Sequence, residues 1–201
     1  MSGGGSNGAW EAGVLYGLAH SGNPADYHYD VVSGVSSGAI NAAALSTIAP
    51  EDIVAATEYI VNSWSSLKTS DIYVHMPGGI VIAMFEEHSL YDTTPAIATF
   101  GRIFGTGGYK KHLALSAVDA NTGEKVTMTD EQIPFNELPT AVLGSASVPI
   151  AFPSTRYGGH LLMDGMTAYN TDVEATIERC KQLVGDEGLI TIDVLQITAQ
   201  G

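Results

Sequence analysis

The sequence predicts an α/β sandwich. Three observations carry that expectation. Strand-like apolar runs alternate with segments of helical periodicity along nearly the whole chain, an order that stacks helices on a sheet. One apolar run, Tyr29-Asp30-Val31-Val32, passes through Gly34-Val35-Ser36-Ser37-Gly38 into Ala39-Ile40-Asn41-Ala42-Ala43-Ala44-Leu45, which reads as strand, sharp turn and helix. With 201 residues, 45% of them hydrophobic and 15% charged, the chain has the size and composition of one domain with one core.

The elements follow in order. Gly3-Gly4-Gly5-Ser6-Asn7-Gly8 is a glycine-rich loop that opens a helix, because Val14, Leu15 and Leu18 recur at helical spacing behind it. A strand is expected near 29–33, then helices over 37–47, 52–67 and 93–104. Strands follow over 112–119, beginning with His112-Leu113-Ala114-Leu115, and over 124–129. A helix is expected at 138–146, a turn and short strand through Tyr157-Gly158-Gly159 to 159–163, and a helix at 172–184. Alternation and β-branching then predict a last strand over 189–197. Between Thr69 and Ser89 the order breaks at Met76-Pro77-Gly78-Gly79, and this stretch is expected to be the most variable, a mobile cover over the site. Its apolar run at 80–85 has two readings, core or a surface for acyl chains or membrane; short apolar runs are usually core, so burial is expected.

Chemistry concentrates in three places. In the turn at Gly34 to Gly38 the two glycines allow a bend without a Cβ clash, so the Ser36 hydroxyl projects above the sheet, as in a nucleophile elbow. The same residues also suit a plain turn and a tightly packed helix, so context decides. Backbone N–H groups of Gly3, Gly4 and Gly5, at a helix start, would converge on an anion such as the oxyanion of acyl transfer. Asp164-Gly165, delivered to a strand end, offers Asp164 as a base.

These three segments, in this order, resemble the patatin-like phospholipase family. The likeness extends over nearly the whole chain. Ser89-Leu90-Tyr91-Asp92-Thr93-Thr94-Pro95 is similar to a family segment before the middle helix, and Ala146-Ser147-Val148-Pro149-Ile150-Ala151-Phe152-Pro153 to the family's loop ahead of its aspartate. The resemblance implies a three-layer sandwich with a central, mostly parallel sheet and helices on both faces. It further implies a lipid acyl hydrolase with Ser36 as nucleophile, Asp164 as base in a two-residue dyad, and Gly3, Gly4 and Gly5 as oxyanion hole. Departures are Asn7, where relatives commonly carry a basic residue, and Asp164-Gly165-Met166, where they carry Asp-Gly-Gly or Asp-Gly-Ala. Only Met1 and Ser2 precede the glycine loop, and the chain stops four residues after 197, so one domain clipped at both ends is expected.

Composition limits the partners. A formal charge of −14 repels phosphates, which argues against nucleic acid and against tight docking on anionic lipid. Lipid or another acyl ester would be met through apolar contact, with a transient membrane contact allowed. Lys110 and Lys111 form the lone adjacent basic pair and read as a solvated strand entrance. Cys180, the single cysteine, reads as a small buried hydrophobe. No segment approaches ~20 apolar residues. There is no H-E-x-x-H and no cysteine cluster, so neither metal nor cofactor is called for.

All six histidines precede Asp164, which fits a dyad better than a Ser–Asp–His order. His160, four residues before it, is expected to face solvent or a neighbouring hydroxyl rather than to complete a triad. Two rival functions remain. The glycine loop satisfies G-x-G-x-x-G, but the next strand carries no acid at its far end for a ribose, since Asp30 precedes it. A catalytically inactive patatin-like protein that binds lipid or serves as a structural partner is the other.

Overall fold

The computed structural model describes residues 1–76 and 89–197. The run at 80–85 and most of the expected cover lie outside them. Helix α1 (Gly8–Ser21) leads through a 3-10 turn to strand β1 (Val31–Val35), then α2 (Ser37–Ser46), α3 (Ile53–Ser66) and the single turn α4 (Thr69–Ile72). Two short strands, β2 (Val74–His75) and β3 (Tyr91–Asp92), precede α5 (Thr94–Phe104). Then come β4 (His112–Asp119), β5 (Lys125–Thr129), α6 (Leu138–Ser145), β6 (Thr155–Tyr157), β7 (His160–Asp164) and α7 (Val173–Val184).

Strand β4 is the axis of the main sheet. Seven of its eight residues, Leu113 to Asp119, are buried, as expected for a strand covered on both faces. It pairs in parallel with β1, from Val31 opposite His112 to Val35 opposite Ser116. β5 runs antiparallel to it, Ala114 opposite Thr129 through Val118 opposite Lys125. β7 is also antiparallel, with Ala117 opposite Asp164 and Asp119 opposite Leu162. Because β5 overlaps both of those stretches, it takes one flank of β4, and β1 and β7 share the other.

The sheet is therefore mixed around a parallel β1–β4 core, where a mostly parallel sheet was expected. Connection length explains the difference. β4 joins β5, and β6 joins β7, through tight turns, and such turns can return a chain only antiparallel. Helices do lie on both faces, as the pleat of β1 shows. Ser33 Oγ meets Thr176 Oγ1 of α7 at 2.5 Å, whereas neighbouring Gly34 abuts the α2 backbone on the opposite side. Beneath α2 and α6 the core gathers Leu45, Phe100, Leu113, Leu115, Leu138 and Leu162, all almost completely buried. Each such side chain contributes roughly 1.5–3 kcal/mol relative to an exposed one.

Residues 190–197 are not a strand. A 3-10 turn, Glu187–Leu189, precedes an extended, largely exposed segment with no ladder. Its anchors are single bonds, Ser2 N–H to the Leu195 carbonyl at 3.1 Å, Ile197 N–H to Ser2 Oγ at 2.8 Å, and the Tyr29 hydroxyl to Asp193 at 2.7 Å. Alternation alone does not make a strand without a partner edge. The free flank of β1 is met by Met1, which donates to the Ser33 carbonyl at 3.0 Å and accepts from Val35 N–H at 3.3 Å.

Lys111 departs from the solvated reading of the basic pair: it is buried, and its ammonium donates to the carbonyls of Leu45 and Ile48 at the C-terminal end of α2. The Leu45 carbonyl, which also accepts the Ile48 N–H at 3.3 Å, and that of Ile48 just past the helix sit at its negative end, which suits a cation. Burial pushes the Lys111 ammonium down to about 8.

Arg179 pins α7 to the sheet. Its side chain is buried and forks onto Asp130, with Nε to Oδ1 at 3.0 Å and Nη2 to Oδ2 at 2.9 Å. Burial, the largest single effect, opposes ionisation of Asp130, but the Arg179 guanidinium, the Leu113 amide and the His112 hydrogen bond together hold its carboxyl below the ordinary value. Its contribution is present above the usual carboxylate range and is lost as pH falls through the depressed value. Arg179→Met should lower the unfolding free energy at neutral pH by about 3 kcal/mol, because it strands a buried charge. Urea titration checks this, with Arg179→Met/Asp130→Asn expected to recover part of the loss.

Candidate active site

Register brings the predicted pair together. β1 and β7 lie on the same flank of β4 and run in opposite senses, so their C-terminal ends, Val35 opposite Ser116 and Asp164 opposite Ala117, meet head to head. Ser36 follows one end and Asp164 closes the other. The Ser36 hydroxyl donates to Asp164 Oδ2 at 2.6 Å, across 128 residues of sequence. Both residues are buried, with Ser36 3% and Asp164 1% exposed. Asp164 Oδ1 accepts the Met166 amide at 2.8 Å, so each carboxylate oxygen has a donor. Burial nevertheless outweighs both bonds and pushes the Asp164 carboxyl up from its ordinary value.

The elbow differs in one respect from its expected form. The unusual backbone belongs to Ser36 itself, at φ 55° and ψ −120°. A non-glycine residue in that region is strained, and such strain gathers where the surrounding structure enforces it. Gly34 and Gly38 serve close approach instead. A Cβ on Gly34 would sit 2.1 Å from the Gly38 carbonyl oxygen, and one on Gly38 would sit 2.5 Å from that of Ser2. Strand, helix and the chain's first residues thus touch backbone to backbone.

Ser145, at the end of α6, completes the elbow. Its Oγ accepts the Ser36 N–H at 3.0 Å and donates to the Ser116 carbonyl at 2.7 Å, tying turn, central strand and helix at one atom. Ser116 Oγ donates in turn to Asp172 Oδ2 at 2.7 Å, and Asp172 also caps α7 through Ala175 N–H and meets Lys125. None of these three was singled out from sequence. The available signal was a small polar residue inside an apolar run, Ala141-Val142-Leu143-Gly144-Ser145.

The glycine loop lies against this site. Gly3 N–H is engaged, donating to the Asn170 carbonyl at 3.1 Å, so it is not a free donor as expected. The amides of Gly4 and Gly5 have no acceptor among the described residues. Glu11, fully buried in α1, fastens the loop by accepting from Ser2 N–H at 2.8 Å and Asn41 Nδ2 at 3.3 Å. Burial pushes the Glu11 carboxyl up against those bonds. Two apolar side chains cover the loop. A Cβ on Gly3 would lie 2.2 Å from Met166 Cγ, and one on Gly4 would lie 2.6 Å from Ile197 Cδ1.

The two other segments noted in the sequence form one unit beside Asp164. Ser147 accepts the Asp164 N–H at 2.8 Å. Leu90 and Tyr91 donate to the carbonyls of Ile150 and Ala151, and the Phe152 ring lies tilted 5.2 Å from that of Tyr73 and edge-on 6.3 Å from that of Tyr91. His160 is engaged elsewhere, with Nδ1 2.7 Å from Asp119 Oδ2. Cys180 is half-buried and lines a groove of about 140 Å³ with Tyr29, Thr176 and Asp193, a groove that includes neither Ser36 nor Asp164.

A family model for patatin-like phospholipases matches residues 1–177, which hold the glycine loop, the elbow and Asp164. The chain belongs to the patatin-like phospholipase family. That family is one of lipid acyl hydrolases. No curated protein matches the sequence. Among solved structures the chain is similar to VipD from Legionella pneumophila, at 16% identity and a TM-score of 0.49 over 85% of this chain and 46% of that one. The patatin-like chain thus spans less than half of that protein. No helix among the described residues is long and apolar enough to cross a membrane.

Ser145→Ala should lower stability by about 1–3 kcal/mol, because it strands the Ser36 N–H and the Ser116 carbonyl in the interior. Chemical denaturation measures the loss, and an unchanged midpoint would show that neither group depends on the hydroxyl.

Proposed function

We propose that this patatin-like domain, taken as one unit over residues 1–201, hydrolyses carboxylic esters of lipids, with Ser36 as nucleophile and Asp164 as its base. The observation that carries the reading is the 2.6 Å bond from the Ser36 hydroxyl to Asp164 Oδ2, made by a serine held in strained backbone. Supporting it are the two amides of the glycine loop, Gly4 and Gly5, that have no acceptor among the described residues.

On this reading Ser36 Oγ attacks the ester carbonyl carbon while its proton passes to Asp164. Charge that develops on the carbonyl oxygen is met by the Gly4 and Gly5 amides; losing one such donor typically costs ~3 kcal/mol of barrier. The intermediate collapses with cleavage of the C–O bond, and Asp164 returns the proton to the departing alcohol. Water then attacks the acyl-enzyme, with Asp164 taking its proton, and the acid leaves as Ser36 regains its hydrogen. An ordinary aspartate, with pKa near ~3.9, is a weak base toward serine. Burial of Asp164 raises its affinity for the proton, in the direction the reaction needs.

The charge of −14 supports neutral or zwitterionic lipid over anionic surfaces as the substrate source. The inactive, lipid-binding alternative is separated by one experiment. A fluorophosphonate probe should label wild-type protein at Ser36, and Ser36→Ala should abolish both labelling and ester hydrolysis. A folded wild-type chain that takes no label would favour the binding protein.

The pH dependence has a definite sign. Protonated Asp164 cannot accept the serine proton, so kcat/KM should fall on acidification along a limb whose midpoint lies above the ordinary aspartate value of ~3.9. Asp164→Asn should remove activity at all pH. A pH–rate profile with no acid limb above that value would oppose Asp164 as the base.

A further inference from the structure

Met166 reaches from its 3-10 turn onto the glycine loop beside Ser36, a position that a residue without a long side chain could not fill. A Cβ on Gly3 would fall 2.2 Å from Met166 Cγ, 2.4 Å from Met166 Sδ and 3.1 Å from Ser36 Cβ. Thioether and nucleophile therefore press against one point of the glycine loop. Ser36 is only 3% exposed, whereas Met166 beside it is 45% exposed, so the methionine forms part of the outer surface over a buried serine.

We propose that Met166 is the specificity-determining residue of this site, a thioether wall that limits the bulk of the group an ester may present beside Ser36. This rests on the hydrolase reading above. Two features suit the side chain to the role. Its backbone is fixed, because the Met166 N–H donates to Asp164 Oδ1 at 2.8 Å and the residue lies in the 3-10 turn Gly165–Thr167. Its side chain is not, since an unbranched thioether with three rotatable bonds adapts to irregular space at small cost. Substrate must enter against a wall that yields in shape but not in volume. Unbranched acyl chains pass, and branched or bulky acyl groups are disfavoured. A shorter side chain here enlarges the space without touching the amide that holds Asp164.

The test uses two fluorophosphonates that share a leaving group and have equal carbon counts, one with an unbranched and one with a branched alkyl group, on the full chain. The readout is the ratio of their labelling rates at Ser36, with fold checked by circular dichroism. Wild-type protein should favour the unbranched probe. Met166→Ala should shift the ratio toward the branched probe by about tenfold or more, the scale that a few methylenes command in an apolar site. Met166→Leu, of similar volume, should keep the wild-type ratio. Labelling of the wild type with an unchanged ratio in Met166→Ala would overturn the role of Met166 alone. Failure of both probes to label any folded variant at Ser36 would overturn the hydrolase reading and this one with it.

Discussion

One edge of β4 decides the geometry of this protein. A strand offers two rows of backbone groups, and here one row is divided between β1, arriving in parallel at 112–116, and β7, arriving antiparallel at 117–119. Two strands of opposite sense on one edge must end against each other. The meeting point is fixed to the residue by hydrogen-bond register, because a slip of one position would turn every side chain to the wrong face. The 2.6 Å bond between Ser36 and Asp164 follows from that register, with no loop asked to hold either group.

The strain at Ser36 has its counterweight in the same place. A serine at φ 55° persists only where its neighbours over-determine it. Gly34 and Gly38 let strand and helix close to backbone contact on one side, and Ser145 takes the Ser36 amide on the other. Lys111 then anchors the far end of α2 through the carbonyls of Leu45 and Ile48. The helix behind the elbow is thereby held at both ends, and the strained residue has little freedom to relax.

Much of this was legible in sequence. The expected ranges 112–119 and 52–67 match or come close to the observed elements because long apolar periodicity is a strong, local signal. Ser36, Asp164 and the glycine loop were legible because turn chemistry at Gly34, Gly38 and Gly165 is written in residue type. What was hidden is what depends on partners. Residues 189–197 alternate like a strand, yet Ile190, Ile192 and Val194 find no ladder to join. Lys111 looks like any surface lysine until the end of α2 is brought over it. Ser145, Ser116 and Asp172 support the elbow through contacts 29 to 109 residues away, and short polar side chains carry no periodicity of their own. Gly3 was expected as a donor, and only the arrival of the Asn170 carbonyl removes it.

A site with one carboxylate and one hydroxyl has a physical problem that a histidine would relieve, namely the weakness of its base. Hydration is what makes an aspartate weak, so drying the carboxylate is the available remedy, and Asp164 is dry to within 1% of its surface. Dryness that excludes water also excludes substrate, which calls for an apolar cover able to yield. Met166 over Gly3 and Ile197 over Gly4 have that character. An acyl chain that displaces such a cover brings its own apolar surface and keeps the carboxylate out of water while the ester reaches Ser36. On the proposed reading, then, the preference for lipid esters and the choice of a bare aspartate as base have a common cause. Each requires the same dry cleft, and a small polar ester that let water in would weaken the base it depends on.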